Sequence, residues 1–193
     1  MPRFLTDHEH RAVSAAADVL IPPLDSPELG AHPGGGALGV ADYVDNLLAA
    51  FTVDPPLIFA GGPFSGRHGG VASFGEFLAL SPNEELAWRT RIEGSRGIPE
   101  REFNGPTRGW QTIYREGIAA LGPDFCTVGA DEQDRRLRAQ NELRAVLYDH
   151  ACEGAYGAPE YGGNPELAGW RVIGADGDVQ PRGYTDDEVS GRA

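Results

Sequence analysis

The sequence predicts a mostly α-helical domain, an irregular assembly of about five or six helices joined by long Gly/Pro-rich loops, with little or no sheet. Three observations predict it. Apolar residues recur at helical spacing in several segments, most plainly at Val40, Tyr43, Val44, Leu47, Leu48 and Phe51, a stripe that only a period of about 3.6 residues keeps on one face. Two capping-box signatures, Thr6 with Glu9 and Ser81 with Glu84, mark helix starts. The 27 glycines and 15 prolines fall mostly between the periodic segments, where they end helices.

Taken in order, the first helix runs from the Thr6 cap to about Leu20, with Leu5 ahead of it as a staple. Val13, Ala16, Ala17 and Leu20 form its apolar face, with Asp18 beside it. Ile21-Pro22-Pro23 ends the helix, because a residue before proline avoids the α region. Residues 24–36 read as loop. The stripe beginning at Val40 gives a second helix that stops by Asp54-Pro55-Pro56. Residues 55–70 hold too much glycine and proline for a helix, yet they carry Leu57, Ile58, Phe59 and Phe64, so this loop must lie on something apolar. Residues 73–79 read as one or two helical turns. Ser81-Pro82-Asn83-Glu84 opens a helix reaching about Ile92, with proline at the first helical position. Residues 94–106 are loop again. Trp110, Ile113, Tyr114, Ile118 and Leu121 mark a helix over 107–121, stopped by Gly122-Pro123. Asp131 is the expected cap of the longest helix, whose series Leu137, Leu143, Val146 and Leu147 continues to His150 and Ala151. Trp170-Arg171-Val172-Ile173 reads as one short strand, and the polar residues 185–193 are expected to fray. With no internal repeat or dividing linker, residues 1–193 make a single domain.

Composition excludes several functions. Sixteen basic residues against 29 acidic ones leave a formal charge of −13, so no cationic stripe is available to displace counterions from nucleic acid. Every basic residue is arginine, which removes Schiff-base chemistry and a lysine general base. No run approaches the ~18 consecutive apolar residues of a membrane span. Phe4-Leu5 leads directly into the Thr6 cap, leaving no room for an export signal. The expected location is therefore cytoplasmic as the chain is written. Cys126 and Cys152 are read as reduced thiols, since two cysteines neither demand nor forbid a bridge.

The search for catalytic chemistry yields little. His8 and His10 stand two apart on a helix start and point to different faces, so they cannot share a metal. His32 and His68 lie in glycine-rich loops without carboxylates or thiolates at ligand spacing. His150 and Cys152 lack the orienting third group that a nucleophile and base require. Gly34-Gly35-Gly36 precedes a helix but has no P-loop lysine or preceding buried strand, so it reads as a helix cap. Acidic pairs such as Asp42/Asp45 and Asp131/Glu132 suit helix starts without catalysis. Tyr161-Gly162-Gly163-Asn164 differs: it joins residues that tolerate positive φ to the aromatic Tyr156, Tyr161 and Trp170. Two readings stay open for it, a set of aromatic anchors for a partner or a compact loop packed on its own domain.

Several blocks carry a resemblance. Phe4-Leu5-Thr6 precedes Ala16-Ala17-Asp18-Val19-Leu20-Ile21-Pro22, and Gly39-Val40-Ala41-Asp42-Tyr43-Val44-Asp45 follows. Cys152-Glu153-Gly154 and Tyr161-Gly162-Gly163-Asn164 then lead to Gly169-Trp170-Arg171-Val172-Ile173-Gly174. In this order the chain resembles the gluconate 2-dehydrogenase subunit 3 family, small subunits accompanying flavin dehydrogenases of the glucose/methanol/choline (GMC) type. The resemblance spans most of the chain, with residues 55–121 adding little. It implies a mostly helical, non-catalytic subunit that binds and stabilises a large FAD-dependent alcohol or sugar dehydrogenase subunit and shapes its folding and substrate entrance. It also implies FAD in the large subunit, no cofactor in this chain and a cytochrome c as a further partner. Many family members carry a twin-arginine signal that this sequence does not show. A periplasmic or exported location follows only if a leader was removed or the partner carries the signal. On this reading Leu57, Ile58, Phe59, Phe64, Tyr156, Tyr161, Gly162, Gly163, Asn164 and Trp170 are the expected partner-binding residues, because they supply apolar and aromatic area. Two alternatives remain: a stand-alone small enzyme using His150, Cys152 and Glu153, and a pure folding or export escort of the flavoprotein.

Overall fold

The first helix begins where a threonine can satisfy backbone that helix geometry leaves bare. In the computed structural model, which describes residues 2–26, 30–54, 56, 58 and 80–175, Glu9 N–H donates to Thr6 Oγ1 at 3.2 Å and Thr6 N–H donates to Glu9 Oε2 at 2.7 Å. Helix α1 (Asp7–Leu20) buries Ala12, Val13, Ala16 and Ala17. Small side chains on that face let other backbone come close. Helix α2 (Gly34–Ala37) lies so near that a Cβ on Gly35 would sit 2.7 Å from the Ala17 carbonyl oxygen. Gly36 N–H donates to Asp18 Oδ1 at 2.8 Å. The glycine triplet is thus a helix of its own, packed on the Ala-Ala-Asp face, rather than a cap. Residues 24–36 are correspondingly not all loop. Strands β1 (Leu24–Ser26) and β2 (Gly30–His32) pair antiparallel, with Leu24 opposite His32.

Helix α3 (Val40–Leu48) buries Val40, Ala41, Val44, Asp45 and Leu48. It gives way to a 3-10 turn over Ala50–Thr52, so the predicted stripe outlasts the α-helix by one tighter turn. Asp45, 4% exposed, accepts backbone N–H groups from Arg3 at 2.5 Å, Phe4 at 2.9 Å and Leu5 at 2.8 Å. One buried carboxylate thereby fixes the segment that enters α1.

Helix α4 (Pro82–Glu93) starts at the second capping box, with Ser81 N–H on Glu84 Oε2 at 2.8 Å. Helix α5 (Trp110–Leu121) begins three residues later than the pattern suggests. Gly109 lies against the backbone of Ile92–Gly94, where any Cβ would collide, and this contact sets the start. The predicted longest helix is two: α6 (Ala130–Arg138) and α7 (Asn141–Tyr156), with Gln140 at φ −105° and ψ 69° between them. A continuous helix would set Leu137 and Leu143 about 120° apart, and the break turns both into the core, where they are 1% and 2% exposed. Gly129, not Asp131, occupies the cap of α6. Within α6, hydrogen bonds from Arg135 and Arg136 hold the Glu132 carboxyl down at about 2.

Trp170 to Ile173 correct the expected strand: they belong to helix α8 (Ala168–Ile173), closed by Gly174 at φ 67°. The chain is mostly α, with a two-stranded sheet among the described residues. The main core gathers α1, α3, α5, α6 and α7 around Leu38, Val44, Tyr114, Phe125 and Leu147. A smaller cluster joins Ala50, Ile58 and Ile92 under Trp88 and Trp110. Among the described residues no helix is long and apolar enough to cross a membrane.

Candidate functional site

The segment 157–174 folds onto the end of α7, and its glycines explain how. Gly163 and Gly169 sit directly on the Gly154 and Ala155 carbonyls, where a Cβ at either position would collide with backbone. Gly154 in turn faces Tyr43, which leaves 2.9 Å between Tyr43 Cβ and a Cβ placed there. Asn164 locks the arrangement. It is 0% exposed and left-handed at φ 49°, its Nδ2 donates to the Gly157 carbonyl at 2.9 Å, and its Oδ1 accepts Gly169 N–H at 2.7 Å. Its own N–H donates to the Leu38 carbonyl at 2.8 Å. Asn46 Nδ2 donates to the Tyr161 carbonyl at 3.2 Å, and Trp170 Nε1–H donates to the Tyr156 carbonyl at 2.7 Å. The sequence blocks at both ends of the chain therefore meet in one junction of α3, α7 and α8.

Beside this junction runs a groove of about 510 Å³ between the end of α1, the hairpin, α7 and α8. Its lining includes Leu20, Ile21, Leu24, Tyr148, Tyr156 and Val172, and Cys152 opens onto it. His32 spans the groove wall: its Nδ1 accepts Gly34 N–H at 3.1 Å, so its Nε2 carries the proton that meets Tyr156 Oη at 2.9 Å. Among the described residues no carboxylate or guanidinium lines the groove. Leu24 and Tyr148 are 48% and 54% exposed.

Another face of α7 borders a second cavity of about 220 Å³, lined by Tyr43, Trp88, Trp110, His150 and Glu153. His150 is buried, with Nδ1 3.0 Å from Tyr114 Oη and its ring stacked on Tyr114 at 5.9 Å between centroids. Burial holds its pKa down at about 4. Tyr43 donates its hydroxyl to Glu153 Oε2 at 2.6 Å, and burial, then the carboxylate, push the phenol up so that it stays protonated. His150 and Cys152 open into different cavities, so they do not form the nucleophile and base pair that one alternative reading needs. Both cysteines are free thiols. His10 is half-buried and meets Asp42 Oδ1 at 2.9 Å, a tie between α1 and α3.

Residues 7–177 match the family model described as gluconate 2-dehydrogenase subunit 3. The chain belongs to the gluconate 2-dehydrogenase subunit 3 family. Comparison with curated proteins and with solved structures finds no match.

In this subunit the expected partner-binding residues have different fates. Leu57, Phe59 and Phe64, along with the helical turns expected over 73–79 and His68, lie outside the described residues. Ile58 is 6% exposed in the smaller core cluster, and Gly163 and Asn164 are enclosed in the junction, so the surface of these three is spent inside the subunit. Tyr156, Tyr161, Gly162 and Trp170 are half-buried in the same junction, and of these Tyr156 reaches the groove. The sequence reading missed Leu24 and Tyr148. A tyrosine on the charged outer face of α7, between Arg144 and Asp149, was the available signal.

Proposed function

We propose that this member of the subunit 3 family is a non-catalytic small subunit that binds and stabilises a large FAD-dependent dehydrogenase subunit of the GMC type. Family membership supplies the coarser part, a subunit of a dehydrogenase complex. The observation that supports a binding role is the groove: in a chain of formal charge −13, an open surface carries two tyrosines and, among the described residues, no charged side chain. Interface centres have that character, depleted in charge and enriched in tyrosine, while charged surface elsewhere keeps the free subunit in solution. The separation of His150 from Cys152 favours a binding role over a thiol-based enzyme.

The test is copurification of the subunit from its native host, followed by a visible absorption spectrum of each separated polypeptide. The expected result is a flavin spectrum that follows a larger polypeptide retained with this chain. A flavin spectrum belonging to the 20.6 kDa chain, or purification without any large partner, overturns the reading.

A further inference from the structure

The cavity of about 220 Å³ beside Tyr43, Trp110 and His150 has no part in the proposed docking role. Its deepest side chain is His150, 2% exposed, and its rim holds the exposed Asp149, Glu153 and Arg91. The walls are aromatic. The indoles of Trp88 and Trp110 meet edge to face at 6.2 Å, Trp110 meets the His150 ring at 4.6 Å, and Tyr43 stands across from them at 6.3 Å from His150.

Tyr114 fixes the protonation of His150. It is fully buried, and among the described residues its hydroxyl has one partner, His150 Nδ1. The buried hydroxyl proton must go to that acceptor, since an unmet buried donor is costly. The proton of the neutral imidazole therefore sits on Nε2. No protein group among the described residues accepts from Nε2, and that atom is not among the sealed, unsatisfied ones. A donor on a nearly enclosed side chain that borders the aromatic cavity is thus left without a protein acceptor among the described residues.

The surrounding groups select the class of molecule that brings this oxygen. Two carboxylates against one guanidinium disfavour an anion. An ammonium offers no acceptor to His150, and Arg91 already lies over the Trp88 ring at 5.2 Å. A neutral molecule with adjacent hydroxyls matches these groups in kind: its oxygens can accept from His150 Nε2 and Arg91, its hydroxyls can donate to Asp149 and Glu153, and its C–H groups suit the aromatic wall. The volume, about seven water shares of ~30 Å³ each, suits one such molecule.

We propose that this cavity is a binding site for a small neutral polyol or monosaccharide, carried by the accessory subunit itself. The test titrates D-glucose into the full chain and follows intrinsic fluorescence, since Trp88 and Trp110 are two of its three tryptophans. A saturable change is expected. Potassium gluconate, an anion, and choline, a cation, are each expected to bind at least about tenfold more weakly. Asp149 is exposed, so Asp149→Ala leaves the fold intact while weakening D-glucose binding about tenfold through loss of a charge-assisted hydrogen bond. Absence of a saturable response to D-glucose overturns the proposal. So does equal or tighter binding of gluconate or choline, or an Asp149→Ala response matching that of the unaltered chain.

Discussion

His150 shows how a single residue links packing to solution behaviour. Burial lowers its pKa from 6.5 to about 4 in the folded chain, while the unfolded chain keeps the ordinary value. The folded state thus binds fewer protons between these two values, and its stability falls as pH drops from about 6.5 to about 4. A tenfold change in proton affinity is worth ~1.4 kcal/mol, so the full loss comes to about 3 kcal/mol. Urea unfolding at a series of pH values should show this slope, and a His150→Gln variant should lose it. Asn164 makes a different kind of contribution, because its side chain satisfies two backbone groups that are otherwise stranded inside the junction. Asn164→Ala strands both and keeps a left-handed backbone that alanine dislikes. The expected cost is about 3 kcal/mol, read as a lower urea midpoint at unchanged slope. Neither role is legible in the sequence: Asn164 was visible as a residue that tolerates positive φ, but its enclosure depends on Leu38, 126 residues away in the chain.

At the scale of elements, the helices were legible wherever local chemistry specifies them. Both capping boxes and the Val40 stripe form as their residue types require. The errors have one origin, contacts between distant segments. Gly109 shortens α5 by resting on α4, the need to bury Leu137 and Leu143 together splits α6 from α7, and α8 replaces a strand because Gly169 is held against Ala155. Substitution at Gly169 tests the origin of α8. Gly169→Ala forces a methyl into the Ala155 carbonyl and should cost about 2–4 kcal/mol. Gly129→Ala enters open space, at the cap of α6, and should stay within about 0.5 kcal/mol. The groove supplies the matching prediction for binding. Tyr148→Asp sets a charge in a surface that has none among the described residues, so it should weaken association with the proposed large subunit by about 2 kcal/mol or more. The melting temperature of the isolated chain should not change, because Tyr148 is 54% exposed.

For the whole molecule, the blocks that carried the family resemblance prove to be the ones that meet in space. The Ala16-Ala17-Asp18 face receives α2, Asp45 holds the entry to α1, and the Tyr161 to Trp170 segment closes over α7. Their common product is a fixed surface, and the proposed role of that surface is to bind a larger subunit in its native state. Binding of this kind stabilises the partner by mass action, by about 2.7 kcal/mol when the subunit is present at a hundred times its dissociation constant. The most direct measurement is the thermal release of flavin from the large subunit, followed as this chain is added. A release midpoint that climbs with the concentration of the chain and then levels off is the predicted result; a midpoint that stays fixed at every concentration would contradict the account.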